Sequence, residues 1–225
     1  LHFFLFIFFE KTKQNWDVRI HNKIKHCPYF TVDNWFTEEE EQRIWSELEF
    51  YSNTEHAKID KAEDTVVARE NGIAKSNAYR FHMWDYYTPK GQTISHIMNC
   101  LYKQRSEEFH NIVKEALPQH YSNFISTDTD GTMISYYDKA KYYKAHSDTV
   151  QFTCLIWLYK EPKKFFGGNL KLVDGNSTIE CVSNRMLLFP SYLQHEVTEI
   201  KSKEDIEFGY GRYCITHFYN WTGGR

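Results

Sequence analysis

His146 and Asp148, a histidine and an aspartate separated by one residue, form the pair in this sequence with the clearest chemical potential. In an extended segment, residues two apart point to the same side, so both side chains can reach one metal ion. A second histidine, His195, lies farther along the chain after an apolar segment. Two histidines and one carboxylate hold Fe(II) and leave positions open for a bidentate cosubstrate and O2. A zinc site accepts the same ligands, so these three residues alone do not identify the metal.

An arginine beyond the second histidine favours iron over zinc. A dicarboxylate that chelates a metal at one end needs its far carboxylate neutralised, and Arg212 can do this bidentately without losing its charge. Arg212 and Thr216 are four residues apart on a predicted strand, so both face the same side. A hydroxyl of Thr216 and the phenol of Tyr137 can donate to the same carboxylate.

The composition limits the classes of protein to consider. The chain has 225 residues, of which 41% are hydrophobic and 25% charged, which predicts a packed core in a single domain spanning residues 1–225. A formal net charge of -3 gives no reason to expect a nucleic-acid partner. The apolar run at residues 1–9 is too short to span a membrane. We predict a buried or partner-covered strand there, with a trimmed targeting segment or an interface as the alternatives. The chain has five dispersed cysteines, which favour a reducing, cytoplasmic compartment without disulfides: Cys27, Cys100, Cys154, Cys181 and Cys214.

Residues 1–120 are predicted to supply N-terminal strands and supporting helices. Thr37 to Glu40 form a capping-box pattern before a helical spacing of apolar residues, which predicts a helix over 38–51. The polar segment 52–78, with a turn at Asn71-Gly72, is expected to be a surface loop or a mobile flap. Further predictions for this half are strands near 28–32 and over 79–87, and a helix over 93–116.

Residues 121–225 contain short strands separated by turns. Turns are predicted at Asp130-Gly131 and Asp174-Gly175. The predicted strands cover 132–137, 151–159, 169–173, 186–189 and 213–221. Helices followed by many short strands predict a mainly β fold, a sandwich or barrel with helices packed outside.

Four segments, in order, resemble the prolyl 4-hydroxylase family. Residues 137–148 are similar to its Y-x-x-G-x-[FY]-x-x-x-H-x-D pattern, and residues 166–170 to its GG-x-[LT] turn. Residues 184–195 resemble its R-x-L-x-F-x-S…H strand. The run Arg-Tyr-Cys-Ile-Thr from Arg212 to Thr216 is similar to that of the hypoxia-type prolyl hydroxylases. The resemblance covers about residues 132–221.

This resemblance implies a double-stranded β-helix (jelly-roll) core in residues 121–225 and Fe(II)/2-oxoglutarate dioxygenase chemistry. It makes His146, Asp148 and His195 iron ligands and assigns Arg212 to the distal carboxylate of 2-oxoglutarate, with Tyr137 lining that pocket. O2 is the second cosubstrate, and ascorbate (vitamin C) is a further expected cofactor. The expected reaction is hydroxylation of a C–H bond, with a prolyl residue of a peptide or protein as the first choice of substrate. A free amino acid, another small molecule, or a non-catalytic binding module on the same barrel remain alternatives.

Three features depart from the family pattern. Ala140 stands where the family has glycine, and Trp157 stands where the hypoxia-type enzymes have a tyrosine that contacts the cosubstrate. The indole N–H of Trp157 can take over that contact. The segment between His195 and Arg212 is longer than in those enzymes, and residues 201–205 within it are predicted to be a solvated loop.

Two further histidines on predicted strands, His82 and His217, and two strand cysteines are expected to be structural. His217 is an odd number of residues from Arg212, so it should face away from the pocket. His82 is expected to be a structural residue on a strand. Cys154 and Cys214 lie in apolar strands and are predicted to be inert core thiols.

Overall fold

The structure is a computed structural model that describes residues 15–21, 27–53, 59–81 and 95–222. Two predictions lie wholly outside the described residues: the strand at residues 1–9 and the role of His82. Two others lie partly outside them: the end of the strand 79–87 and the start of the helix 93–116. Every helix within these ranges is too short or too polar to cross a lipid bilayer.

The described residues form fourteen strands in three sheets. The strands are β1 (Asp17–His21), β2 (Tyr29–Asp33), β3 (Ile59–Lys61), β4 (Arg69–Glu70), β5 (Ile73–Ala74), β6 (Tyr79–Phe81), β7 (Thr129–Tyr137), β8 (Tyr143–His146), β9 (Phe152–Leu158), β10 (Leu170–Leu172), β11 (Ser177–Ile179), β12 (Arg185–Pro190), β13 (His195–Val197) and β14 (Arg212–Asn220). A large sheet has the order β1-β2-β12-β9-β14-β7-β6-β3, and a small sheet the order β11-β10-β13-β8. The pair β4-β5 is a separate hairpin.

Four α-helices accompany the sheets: α1 (Glu38–Ser52), α2 (His96–Leu101), α3 (Glu107–Ala116) and α4 (Tyr121–Ile125). The capping box at the start of α1 is present as predicted, because the Thr37 hydroxyl accepts from the Glu40 N–H and the Glu40 carboxylate accepts from the Thr37 N–H. The negative charges of four glutamates in the first turn of α1 also interact favourably with the positive end of the helix dipole.

The large sheet separates two apolar layers. Alternate residues of β9, among them Cys154 and Ile156, pack toward the helices with Leu48 and Phe109. The opposite set, including Leu155, packs toward the small sheet. Successive residues of β9 therefore face the two layers in turn. The prediction of a mainly β fold with helices flanking a double-stranded β-helix core is confirmed.

Two local predictions in the strand-rich and helical regions are wrong. Asp130-Gly131 is not a turn but lies inside β7, opposite Phe218 and Tyr219 of β14, because pairing along a nine-residue strand outweighs a local turn preference. The helix expected over 93–116 is interrupted by a 3-10 turn at Tyr102–Arg105 and by Ser106. Ser106 is extended, and its hydroxyl accepts from the Phe109 N–H, so it caps α3 and ends the preceding turn.

The described residues of the segment 52–78 are more structured than a surface loop. It contains β3, which joins the edge of the large sheet beside β6, and the β4-β5 hairpin. The predicted Asn71-Gly72 turn connects the two strands of that hairpin, with both residues at positive φ.

The helix α4 and the strand β1 were not predicted. Residues 201–205 are largely exposed, as expected for a solvated loop.

Candidate active site

Three side chains from two neighbouring segments converge at one point between the sheets. His146 ends β8 and His195 begins β13, and the two residues are paired across these antiparallel strands. Asp148 lies just after β8, with Oδ1 3.7 Å from His146 Nε2 and Oδ2 3.5 Å from His195 Nε2. One ligand atom from each of the three residues lies within 4.8 Å of the others. The predicted triad is therefore assembled, in a geometry that one metal ion can bridge.

The backbone fixes which imidazole nitrogen each histidine offers. His146 Nδ1 lies 2.8 Å from the Lys144 carbonyl and His195 Nδ1 lies 2.9 Å from the Leu193 carbonyl. An Nδ1–H that donates to a carbonyl leaves Nε2 free as a metal ligand. Burial, followed by the neighbouring His195, lowers the pKa of His146 to about 4, so its imidazole is neutral at pH 7.

A chain of hydroxyls orients the carboxylate of the triad. Thr153 Oγ1 donates to Asp148 Oδ2 over 2.6 Å and lies 2.7 Å from the hydroxyl of Ser191. The Asp148 N–H also donates to the Ser191 carbonyl. The aspartate is therefore held at both backbone and side chain, which fixes it between the two histidines.

The triad lies in a cavity of about 650 Å³. Its floor is one face of four adjacent strands, β9, β14, β7 and β6, because alternate residues of each strand point to this side. The described part of the segment 52–78 contributes residues 65–68 to the wall. The Ala68 N–H donates to the Tyr143 hydroxyl, and the Tyr143 ring stacks on His146 at 3.6 Å.

Arg212 is fully buried at this cavity, and its guanidinium group lacks an anionic partner. None of its three side-chain nitrogens makes a hydrogen bond among the described residues. Instead the guanidinium packs over the rings of Tyr137, at 4.9 Å, and Trp157, at 5.6 Å. An uncompensated buried charge of this kind is strongly unfavourable, so the arrangement fits a ligand that brings a carboxylate. A dicarboxylate such as 2-oxoglutarate meets that requirement.

The glycine pair of the predicted GG turn makes room for this arginine. Gly167 and Gly168 both have positive φ values, of 78° and 68°. A Cβ on Gly168 would lie 2.9 Å from Arg212 Cδ and 2.5 Å from Ile200 Cδ1. Only glycine at this position therefore leaves the arginine in place.

The other predicted site residues lie at different depths. Tyr137 and Thr216 line the cavity, and Tyr137 is directly opposite Arg212 in the pairing of β7 with β14. Trp157 is fully buried behind the guanidinium rather than in the cavity lining, and its indole Nε1 makes no hydrogen bond among the described residues. The tryptophan therefore supports Arg212 through ring packing in this structure.

His217 does not line the cavity, in agreement with the alternation of β14. Its Nδ1 lies 2.8 Å from the Thr132 hydroxyl. Burial lowers its pKa to about 4, which keeps the ring neutral. Cys154 is a buried core thiol with a pKa raised by desolvation, whereas Cys214 is buried but lines the cavity.

Three residues of the site were not predicted from the sequence: Arg80, Thr153 and Tyr143. The signal for Thr153 was present, because it shares the alternation of β9 with the residues that face the cavity. Arg80 lies on a three-residue strand whose place beside β7 is decided only by long-range pairing. Tyr143 is part of the same motif as His146, but nothing in the sequence indicates that their rings stack.

Comparison with known proteins gives one family and one curated relative. Residues 132–220 match the sequence model of the "2OG-Fe(II) oxygenase superfamily". The chain is 26% identical over 211 residues to an uncharacterised PKHD-type hydroxylase of Synechocystis sp., an alignment that covers 83% of this chain. The same alignment spans 61% of that relative's length.

Solved structures share the fold at low sequence identity. A prolyl-4-hydroxylase of Pseudomonas putida superposes with a TM-score of 0.54 at 15% identity, covering 88% of this chain and 95% of that one. A prolyl hydroxylase of Trichoplax adhaerens, in complex with a hypoxia inducible factor peptide fragment, gives 0.51 at 15% identity, covering 88% and 86%. These findings confirm the resemblance that the motifs of residues 132–221 predicted.

Proposed function

We propose that this chain, whose residues 132–220 match the 2OG-Fe(II) oxygenase superfamily, hydroxylates a C–H bond of a prolyl residue in a peptide or protein. The observation that carries the proposal is the convergence of His146, Asp148 and His195 in a cavity that also holds the guanidinium of Arg212, which makes no hydrogen bond among the described residues. A triad that can hold Fe(II) and a buried cation that requires a carboxylate match the two cofactor needs of this chemistry.

Each residue has a distinct part in the proposed reaction. His146 and His195 offer Nε2, and Asp148 offers a carboxylate that Thr153 holds in position. Arg212 binds and orients the distal carboxylate of 2-oxoglutarate, while Tyr137 and Trp157 exclude water around it. Bound Fe(II), with 2-oxoglutarate and O2, supplies the oxidising power. One oxygen atom enters the substrate C–H bond to give C–OH, and the other enters succinate as CO2 leaves.

Two observations support a peptidyl proline as the substrate. The motifs of residues 137–148 and 184–195 resemble those of prolyl 4-hydroxylases, and structures of prolyl hydroxylases share the fold. The structure of the Trichoplax adhaerens protein is a complex with a peptide fragment, so this fold accommodates a peptide. The choice of a prolyl side chain over other C–H bonds is our proposal for this chain.

Mass spectrometry of a proline-containing peptide library tests the proposal. The full chain is incubated with Fe(II), 2-oxoglutarate and O2, and products heavier by about 16 Da, one oxygen atom, are sought at proline. Parallel reactions with and without ascorbate test our further proposal that ascorbate sustains turnover. Free amino acids are included in a separate reaction, because they are the principal alternative substrates.

Asp148→Ala is the matched inactive control. We expect this variant to lose Fe(II) and to give no product, because the metal loses one of its three protein ligands. Products on free amino acids alone would replace the prolyl assignment with the small-molecule alternative. Failure of the wild-type chain both to hydroxylate and to decarboxylate 2-oxoglutarate would support a non-catalytic binding module instead.

A further inference from the structure

A second buried arginine lines the same cavity, and the chemistry proposed above does not use it. Arg80 lies on β6, is 3% exposed, and contributes to the cavity wall. Its Nη1 donates to the Ser135 hydroxyl and lies 3.0 Å from the Met133 sulfur. The guanidinium also packs over the Tyr143 ring at 5.6 Å. None of these neighbours carries a negative charge.

Arg80 forms no ion pair with a carboxylate among the described residues, and its cross-strand neighbour on β3 is Asp60. Its Nε makes no hydrogen bond, and no described carboxylate lies within ion-pairing distance of it. Asp148 is the single carboxylate among the described residues of the cavity lining, and its two oxygens face the histidines of the triad. A buried arginine that lacks a counterion is unfavourable unless a ligand supplies one.

The cosubstrate does not remove this imbalance. Arg212 and Arg80 carry two positive charges and Fe(II) adds two more, whereas Asp148 contributes one negative charge and 2-oxoglutarate two. Among the described residues of the cavity lining, one positive charge therefore remains when the metal and the cosubstrate are bound. Arg80 and Arg212 lie on the two strands that flank β7, with Arg80 opposite Ser135 and Arg212 opposite Tyr137. The distal carboxylate of 2-oxoglutarate is assigned to Arg212, so the remaining positive charge is that of Arg80, whose guanidinium packs over the Tyr143 ring.

We propose that Arg80 is a substrate-binding residue that recognises a carboxylate on the molecule to be hydroxylated. This proposal rests on the proposed function, since it assigns a substrate class to the same cavity. A guanidinium group suits a carboxylate because it offers several donors in one plane. The free nitrogen of Arg80 and its position beside the Tyr143 ring, which stacks on His146, place this carboxylate near the triad.

The carboxylate has two possible sources, which the test distinguishes. It is either the α-carboxylate of a free amino acid or the side chain of an acidic residue next to the target proline in a peptide. Binding is measured by calorimetry on the full chain loaded with Mn(II) and 2-oxoglutarate, a metal substitution that prevents turnover. The probes are end-blocked peptides with glutamate or glutamine beside proline, and L-proline or L-prolinamide.

We expect the wild-type chain to bind the carboxylate member of one probe pair on the order of tenfold more tightly than its amide. Arg80→Gln should reduce this preference to about twofold or less and leave the Kd for 2-oxoglutarate within about threefold. Arg80→Lys keeps a charge but not the fork, so it should retain part of the preference. The matched control is Arg43→Gln, which removes an exposed helix arginine paired with Glu39 and should leave the preference unchanged.

Three results would overturn the proposal. The first is a wild-type chain that binds neither carboxylate probe more tightly than its amide. The second is a carboxylate preference that persists in Arg80→Gln. The third is a loss of 2-oxoglutarate binding in Arg80→Gln while binding of the substrate probes is unchanged. If Arg80→Gln fails to fold, the wild-type and Arg80→Lys measurements decide. A carboxylate preference in a chain that yields no hydroxylated product would contradict the proposed function and leave this binding site supported.

Discussion

At the residue scale, the site depends on a few buried charges, each of which requires a specific partner. Backbone carbonyls orient His146 and His195, and hydroxyls orient Asp148. Burial keeps the imidazole of His146 neutral by lowering its pKa. The Arg212 guanidinium packs over the Tyr137 ring, and the lack of a side chain at Gly168 leaves room for it. Among the described residues it forms no ion pair. The candidate metal ligands are therefore already in position, whereas the charge of Arg212 is neutralised only when a carboxylate binds.

Replacement of Arg212 tests the assignment of the distal carboxylate. Arg212→Met should raise the apparent KM for 2-oxoglutarate by on the order of 30- to 4000-fold, since a charge-assisted pair in a dry pocket contributes roughly 2–5 kcal/mol. Iron content should change little, because the arginine is not among the metal ligands. Steady-state kinetics and metal analysis measure the two effects, and unaltered 2-oxoglutarate kinetics would remove Arg212 from this role.

Thr153 is a positioning residue whose effect can be separated from that of Asp148. Thr153→Val keeps the shape of the side chain but removes the hydroxyl that donates to Asp148 Oδ2. Because partners of metal ligands typically affect affinity by about 10- to 100-fold, we expect weaker Fe(II) binding by roughly tenfold. Titration with Fe(II) under anaerobic conditions measures this, and Ser191→Ala provides a comparison one step farther along the hydroxyl chain. Equal Fe(II) affinity in wild-type and Thr153→Val would show that the hydroxyl does not position the carboxylate.

At the scale of elements, the turn between β7 and β8 explains a departure from the family pattern. Ala140 has a φ of 65°, the left-handed conformation that glycine adopts without strain. Its N–H donates to the Ile200 carbonyl and its carbonyl accepts from Asn77, so the turn is tied to two other segments. The family glycine at this position is thus a requirement of the backbone, and the alanine here is accommodated by these bonds.

Restoring the glycine should stabilise the protein. A non-glycine residue in the left-handed region is disfavoured by roughly 1–2 kcal/mol, and the greater freedom of glycine in the unfolded chain offsets part of that. We expect Ala140→Gly to increase the free energy of unfolding by about 0.5–1 kcal/mol, measured by urea denaturation. Ala116→Gly, in the helical conformation at the end of α3, should have the opposite sign and serves as the control. A destabilised Ala140→Gly variant would show that the turn is not strained.

At the scale of the whole molecule, the large sheet separates a helix-packed core from the layer that contains the site. Two buried histidines, His146 and His217, are neutral in this arrangement. Burial lowers the pKa of His146 and His217 to about 4 and also lowers those of His21 and His120. In the unfolded chain each histidine has a pKa near 6.5.

Stability should therefore fall as the pH decreases. Between pH 6.5 and 5 the unfolded chain binds protons that the folded chain does not, which favours unfolding. Above pH 6.5 the histidines are neutral in both states and do not reduce the free energy of unfolding. As the pH falls toward about 4 that free energy decreases, by roughly 2 kcal/mol at pH 5 for each fully buried histidine. Urea denaturation of the metal-free protein over this range measures the slope. His217→Gln should give a shallower slope, and an unchanged slope in that variant would exclude a contribution from His217.

The sequence by itself predicted the candidate metal-ligand set, the arginine of the cavity and the fold class. The prediction used local spacing. In a strand, residues two or four apart face the same side, which places His146 with Asp148 and Arg212 with Thr216. His195 was recognised as the second histidine farther along the chain. The capping box of α1 and the Asn71-Gly72 turn were also predictable, because each depends on residues within a single turn.

Only the tertiary structure decided what depends on pairing between distant segments. Asp130-Gly131 became part of a strand because β14 pairs along it, and the long helix was divided where Ser106 caps α3. Arg80 entered the cavity because β6 joins β7, and Trp157 came to lie behind Arg212 rather than in the pocket. Sheet register is fixed by contacts across the whole chain, so the depth and the partners of a side chain follow from it and cannot be obtained from local sequence.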